Sequence, residues 1–301
     1  MWETEELQTI WEMLQCRAVA QGEAPAVLAP GRAAQNYGSV VATVRRVAGE
    51  LRRRGVGRSD VVAIVLPNGP EMAVAFLGVA GASVAAPLNP SYTEANFHFY
   101  LEDLRAKAVL VGPGSPAAIR AAAEKSGIPL WDWEELAGAG EGSVDDWPDA
   151  ESTALLLHTS GTTSRPKLVP LTQRNLLASA RNIAETLQLQ AEDRCLNIMP
   201  LFHIHGLAAA LLASLYAGAS VVCSDGVFAQ GFFAWLEEFQ PSWYTAVPTM
   251  HQGILAQAAQ QTGGVARGRL RLIRSSSAAL PPVVKEELEA VFGVPVVEAY
   301  G

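Results

Sequence analysis

Charge is scarce in this 301-residue sequence: Asp, Glu, Lys and Arg make up 17% of it, against 50% hydrophobic residues. Bases are the rarer sign, 22 against 30 acids, for a formal net charge of -8, and no dense Lys/Arg run occurs. That excludes a general binder of nucleic acid or of anionic membranes, which needs a basic face. Cysteine is nearly absent too. Cys16, Cys195 and Cys223 are far apart and odd in number, so neither a disulfide framework nor a C-x-x-C metal spacing exists, and a reducing, cytoplasmic setting is expected. The opening Met1-Trp-Glu-Thr-Glu-Glu lacks the basic and apolar regions of a secretory signal. No run supplies the roughly 20 apolar residues that a spanning helix needs. The longest apolar stretches, Ala73 to Pro87 and Gly206 to Cys223, contain Gly and Ser and read as a core helix followed by a strand.

What the sequence does contain is alternation. Strand-like runs at Val61 to Leu66, Ala82 to Leu88 and Ala108 to Val111 enclose helical patterns at Glu71 to Ala80 and Tyr92 to Leu104. The order resumes beyond residue 150. Strands are expected at Ala154 to His158, Arg194 to Met199, Ser220 to Cys223, Trp243 to Val247 and Leu270 to Arg274. Helices are expected at Asn175 to Leu187, Gly206 to Tyr216, Phe228 to Phe239 and Met250 to Gln260. Such β-α-β order predicts an α/β fold with mostly parallel sheets in two layers. Between the two halves, the acidic, Gly-rich stretch 138–151 has no apolar period and reads as a surface loop or linker.

The sharpest local signal is Thr159-Ser-Gly-Thr-Thr-Ser-Arg-Pro-Lys167, directly after an expected strand. Its hydroxyls, one flexible glycine and two cations could surround a compact anion such as a triphosphate. Composition alone leaves an ordinary polar turn equally open. A nucleotide-triphosphatase P-loop is a poor fit, because Pro166 and Leu168 flank the lysine where Gly and Ser or Thr are required. A serine hydrolase is excluded by the lack of a G-x-S-x-G elbow.

The run Thr159 to Lys167 resembles the phosphate-binding signature of the adenylate-forming superfamily of acyl-CoA synthetases, luciferases and adenylation domains. Pro200-Leu-Phe-His-Ile-His-Gly206, Tyr216-Ala-Gly-Ala-Ser, Tyr244-Thr-Ala-Val-Pro-Thr, Ser275-Ser-Ser-Ala-Ala-Leu-Pro and Glu298-Ala-Tyr-Gly301 follow in the family's order. The resemblance implies two mostly parallel α/β sheet subdomains of an N-terminal domain spanning residues 1–301, with the barrel incomplete and the C-terminal lid domain absent. It implies ATP and magnesium as cofactors, coenzyme A as co-substrate and a small carboxylate as the acid, with no nucleic acid and no membrane span.

Carried over by residue, Thr159, Ser160, Gly161, Thr162, Thr163 and Lys167 would hold the β- and γ-phosphates, with Thr163 a possible contact to magnesium. Ser277, Ala278 and Ala279 would border the adenine, Tyr300 would stack on it, and Glu298, Ala299, Tyr300 and Gly301 would line its pocket. His203 matches the histidine beside the reacting carboxylate, which with Lys167 would serve catalysis. The family's magnesium Glu, ribose Asp and lid Lys would lie beyond Gly301, so the chain by itself is expected to be inactive.

Two departures stand out. Ser164 replaces the usual glycine, as in oxalate–CoA ligases, and Leu168 occupies a position commonly held by Gly, where a stiffened loop exit is expected. The segments Ala86-Pro-Leu-Asn, Trp243 to Thr249 and Ile273-Arg-Ser also look most like oxalate–CoA ligases. A small dianion there would be met by Arg274, His203 or His205, and the hydroxyls of Ser275, Ser276 and Ser277. Fatty or aryl acids, and a nucleotide-holding remnant without catalysis, stay open as alternatives. So do plain structural roles: His203 and His205 as buried caps, Tyr300 as a core aromatic, Ser275 to Ser277 as a turn, and His251 and Trp243 as packing.

Overall fold

The computed structural model describes residues 7–140, 142, 144–159, 166–225, 228–261 and 268–300. Thirteen strands are formed in chain order: β1 Pro25–Leu28, β2 Gln35–Asn36, β3 Val61–Ile64, β4 Val84–Pro87, β5 Ala108–Val111, β6 Leu130–Asp132 and β7 Thr153–Thr159. They continue with β8 Lys167–Thr172, β9 Arg194–Asn197, β10 Ser220–Cys223, β11 Trp243–Ala246, β12 Leu272–Ser275 and β13 Val296–Glu298. They make a seven-stranded sheet, β13-β12-β11-β9-β10-β1-β2, and a six-stranded sheet, β6-β5-β3-β4-β7-β8. Each is parallel except at one edge, where β1 pairs with β2 and β7 with β8 in antiparallel fashion. No closed barrel forms among the described residues, in keeping with what the family resemblance implied.

The period-two alternation of each strand decides which layer its side chains join. Cys195, Val221, Trp243 and Leu272 of the first sheet, and Val62, Ile64, Leu110 and Leu155 of the second, share one core. Their neighbours Leu196, Val222, Tyr244 and Ile273 point to a second core under the helices Phe228–Phe239 and Pro282–Phe292. Ala63, Val109 and Val111 point to a third, under Glu94–Leu104 and Ala117–Ser126. The two sheets are therefore stacked across a common helical layer and capped on their outer faces.

Helix Tyr37–Arg53 belongs to that common layer, with Asn36 accepting from the Ser39 N–H at its start and Val40, Val44, Val47, Ala48 and Leu51 buried along one stripe. Beside it runs Pro70–Ala82, nearly all of whose residues are buried, because it has protein on every side. Gly78 lets the two come close: a Cβ there would stand 3.0 Å from the Val47 side chain. Neither this helix nor any other among the described residues is long and apolar enough to cross a membrane.

Residues 138–152 contain no helix or strand where described, yet they are bound down. Trp147 stacks on Trp11 with ring centroids 3.9 Å apart and planes 2° from parallel. Arg52 donates from Nε to Asp146 Oδ1 at 2.7 Å. Gly142 lies on the backbone of Gly49, where an added Cβ would be 2.8 Å from the Gly142 Cα. Gly49→Ala should therefore force the strap away and cost about 1–3 kcal/mol, lowering the melting temperature by roughly 3–10 °C. Gly140→Ala, which meets nothing within 4 Å, is the control and should melt within about 1 °C of the parent. Equal melting of the two variants in a thermal scan would contradict this packing.

Candidate active site

The strand that leads into the Thr159–Lys167 run is β7, and the run returns as β8, so the two form an antiparallel pair with Thr159 opposite Lys167 and His158 opposite Leu168. Both Thr159 and Lys167 are exposed, and no carboxylate among the described residues pairs with Lys167. Ser160, Gly161, Thr162 and Thr163, expected to hold phosphate, lie outside the described residues. Leu168 does not have the conformation that would favour glycine. It is in an extended ladder, and among the described residues the non-glycine positions with positive φ are Arg105, Gln188, Gln240 and Ser277. The expected stiffening at 168 is thus corrected: a Cβ costs nothing in this backbone.

The segment Pro200 to Gly206 follows β9 at the carboxyl end of the first sheet. Asn197 accepts from Met199 N–H at 3.0 Å, and Asn68, from the second sheet's side, accepts from Leu201 N–H at 2.8 Å while donating to the Ser224 carbonyl. Gly206 is required by this turn, since a Cβ would lie 2.3 Å from the Pro200 carbonyl oxygen. The helix expected from residue 206 begins as a π-helix, His205–Leu212, and tightens to α at Ala213–Tyr216. Such wide turns are uncommon and frequent at functional sites. His203 is exposed beside Phe202, with ring centroids 4.6 Å apart, and partial desolvation lowers its pKa. His205 is buried.

His205, Thr245 and Arg274 form one cluster. Nε2 of His205 is 2.6 Å from Thr245 Oγ1 and 3.2 Å from Arg274 Nη1, and Nη1 is 3.3 Å from Thr245 Oγ1. A guanidinium only donates, so Nε2 must carry the lone pair and Nδ1 the proton. Nδ1–H then donates to Ser277 Oγ at 3.0 Å, which leaves the Ser277 hydroxyl hydrogen to point elsewhere. Ser277 holds the left-handed conformation, φ 73°, and is exposed. Burial, then the nearby Arg274 charge, push the His205 pKa down to about 3, so the imidazole is neutral. Arg274 is 7% exposed, burial lowers its own pKa, and no carboxylate among the described residues lies within ion-pair distance. Ser275 Oγ is buried without a partner, and Ser276 is buried with its N–H on the Ala246 carbonyl.

Ala278 and Ala279 follow Ser277 on an exposed turn. Glu298 Oε1 accepts from the Leu280 N–H at 3.1 Å, and Ala299 N–H donates to the Ser275 carbonyl at 2.9 Å, which ties this turn to the end of β13. Tyr300 is fully exposed, and Gly301 lies outside the described residues. Because β9, β11, β12 and β13 are parallel, all these groups gather at one edge, where open α/β sheets bind ligands. Two participants escaped the sequence reading. Thr245 sat unassigned inside a quoted motif, and Asn68 is 133 residues from its partner. No group of three or more His, Cys, Asp or Glu side chains that could hold a metal occurs among the described residues.

Residues 14–301 match the family model described as AMP-binding enzyme. An oxalate–CoA ligase of Arabidopsis thaliana is 43% identical over 82% of this chain and 51% of its own length. A Humulus lupulus protein named Probable CoA ligase CCL9 is 39% identical over 97% of this chain and 59% of its own. The crystal structure of ATP-bound MatB from Rhodopseudomonas palustris superposes with a TM-score of 0.87 at 26% identity, covering 98% of this chain and 59% of that one. The chain thus spans about half to three-fifths of the length of the curated relatives it matches. With the motifs in family order, the fold and the family match in agreement, this chain belongs to the AMP-binding enzyme family of adenylate-forming proteins.

Proposed function

We propose that the chain supplies the ATP- and acid-binding part of an ATP-dependent carboxylate–CoA ligase acting on a small dicarboxylate, with oxalate the first candidate. The observation that carries this reading is Arg274, a buried guanidinium with only neutral acceptors beside it. Removing a charge from water is costly unless an opposite charge compensates it, and a ligand carboxylate is the natural source. An uncharged or long-chain tail would leave that cost in place. The oxalate–CoA ligase relative from Arabidopsis supports the same choice.

In this scheme a carboxylate oxygen of the acid attacks the α-phosphorus of ATP. The new P–O bond forms as the bond to pyrophosphate breaks, giving an acyl-adenylate. The thiol of CoA then adds to the acyl carbon and AMP leaves, its departing oxygen now part of the phosphate. The chain's own groups need only orient and neutralise charge, which supplies most of the rate in such transfers. Thr159, Ser160, Gly161, Thr162, Thr163 and Lys167 would hold the phosphates. Ser277, Ala278, Ala279 and Tyr300 would hold the adenine, with Glu298, Ala299 and Gly301 in its wall. His203 would face the reacting carboxylate, and Arg274, Ser275 and Ser276 the distal one, oriented through His205. Magnesium would arrive with the nucleotide and neutralise its phosphates.

Lys167→Ala removes a charge-assisted contact of roughly 1.5–3 kcal/mol, so ATP affinity measured by calorimetry should fall about tenfold or more. An unchanged affinity refutes the phosphate assignment. Arg274→Met should lower kcat/KM for oxalate by about 30-fold or more while acetate, which has no distal carboxylate, changes little. A carboxylate panel on the full-length protein decides it, and preference for long-chain or aromatic acids sinks the dicarboxylate reading.

Acid should also expose the neutral histidines. His205 and His251 have pKa values pushed down by burial to about 3 and about 4, whereas an unfolded histidine titrates near 6.5. Between those values the unfolded chain binds more protons, so stability is full above about pH 6.5 and declines as pH falls toward 4. Urea midpoints from pH 7.5 to 5 should show this slope, and His205→Gln should flatten it. A midpoint independent of pH in that window contradicts the burial of neutral imidazoles.

A further inference from the structure

His158, the last residue before Thr159, takes no part in the site described so far. Its neighbour Leu156, two positions back on β7, packs into the outer core under the helix Glu94–Leu104, and the pleat sends His158 to the same face. There Nε2 lies 2.8 Å from Asp103 Oδ2, and the ring sits 4.5 Å from that of Tyr100. Both partners belong to the same helix. The His158 side chain is only 5% exposed, while Asp103, at 42%, stands at the surface. A carboxylate only accepts, so Nε2 carries the proton and the ring has one orientation. Across the ladder His158 faces Leu168, and the next pair is Thr159 and Lys167.

We propose that Asp103 and His158 are positioning residues for the nucleotide triphosphate. They clamp the end of β7 to the outer helix and so fix the register in which Thr159 and Lys167 meet the β- and γ-phosphates. The proposal rests on the phosphate reading of the Thr159–Lys167 run. It differs from ordinary packing in what it must affect: a ligand with β- and γ-phosphates depends on the clamp, whereas AMP, which lacks them, does not. The Asp103 end of this hydrogen bond is open to water, so its removal should disturb the end of β7 more than the core.

The test compares Mg-ATP and AMP binding by calorimetry in Asp103→Leu, His158→Leu, His158→Gln and Lys167→Ala, with a thermal melt of each. Asp103→Leu and His158→Leu should weaken ATP about five- to tenfold and AMP less than twofold. His158→Gln, whose amide N–H still reaches Asp103, should bind ATP within about twofold of the parent. If Lys167→Ala weakens ATP but the Asp103 and His158 variants do not, the clamp is refuted and the phosphate reading stands. Equal losses for ATP and AMP, following a fall in melting temperature, assign the pair to stability and overturn the proposal. If Lys167→Ala changes nothing, the phosphate reading itself has failed, and the clamp falls with it.

Discussion

The contact between the Arg274 guanidinium and the imidazole of His205 constrains more of this molecule than any other. It places a full charge against a neutral ring in a buried position, and each group dictates the state of the other. The arginine holds the proton off Nε2, and the imidazole offers the arginine a lone pair without cancelling its charge. From that follow the direction of the Ser277 hydrogen bond and a buried cation with no carboxylate at ion-pair distance among the described residues. The strained φ of Ser277 is part of the same arrangement. A residue in the left-handed region persists when its surroundings over-determine it, and the His205 bond is one such determinant.

The fold brings these groups together by layering. Each sheet presents one face to the shared helices and the other to an outer cover, so the central strands bury side chains on both faces. The groups of the His205 cluster come from the last residues of the parallel strands β11 and β12 and from the segments that leave β9 and β12, where side chains can converge. Within that edge, Gly206, the second residue of the π-helix, permits a close pass of the chain over Pro200. A tighter α-turn would place His205 at a different angle to Thr245, so the width of this helix and the geometry of the cluster belong together.

Much of the architecture was legible because long apolar runs alternate with amphipathic ones: the strands at 61–64, 84–87, 108–111, 220–223 and 243–246 lie where the pattern puts them. Strands β1, β2, β6 and β8 were not legible. Gln35–Asn36 has no apolar signal at all, and Lys167–Thr172 was hidden by being read as the exit of a polar turn. The binding strap failed to show itself for another reason. Its acidic, glycine-rich composition describes what faces water, whereas Trp147 and Gly142 are what hold it, and single residues carry no period. In the candidate site, the quoted segments contain His203, His205 and Arg274, but the neutral state of His205 follows only from burial and from a neighbour 69 positions away. The tie from Asn68 to Leu201 crosses 133 positions and has no local signature.

The order of the strands in the first sheet sets a schedule for its assembly. β1 lies between β10 and β2, with Val27 opposite Val221, so the earliest strand made cannot find its parallel neighbour until almost 200 further residues exist. At synthesis rates of about 5–20 residues per second, that is a delay of roughly 10–40 s. All six strands of the other sheet lie between residues 61 and 172 and are complete well before then. On a ribosome the two halves of this molecule are therefore separated in time, and the later sheet closes onto a neighbour already in place, with its first strand held in waiting.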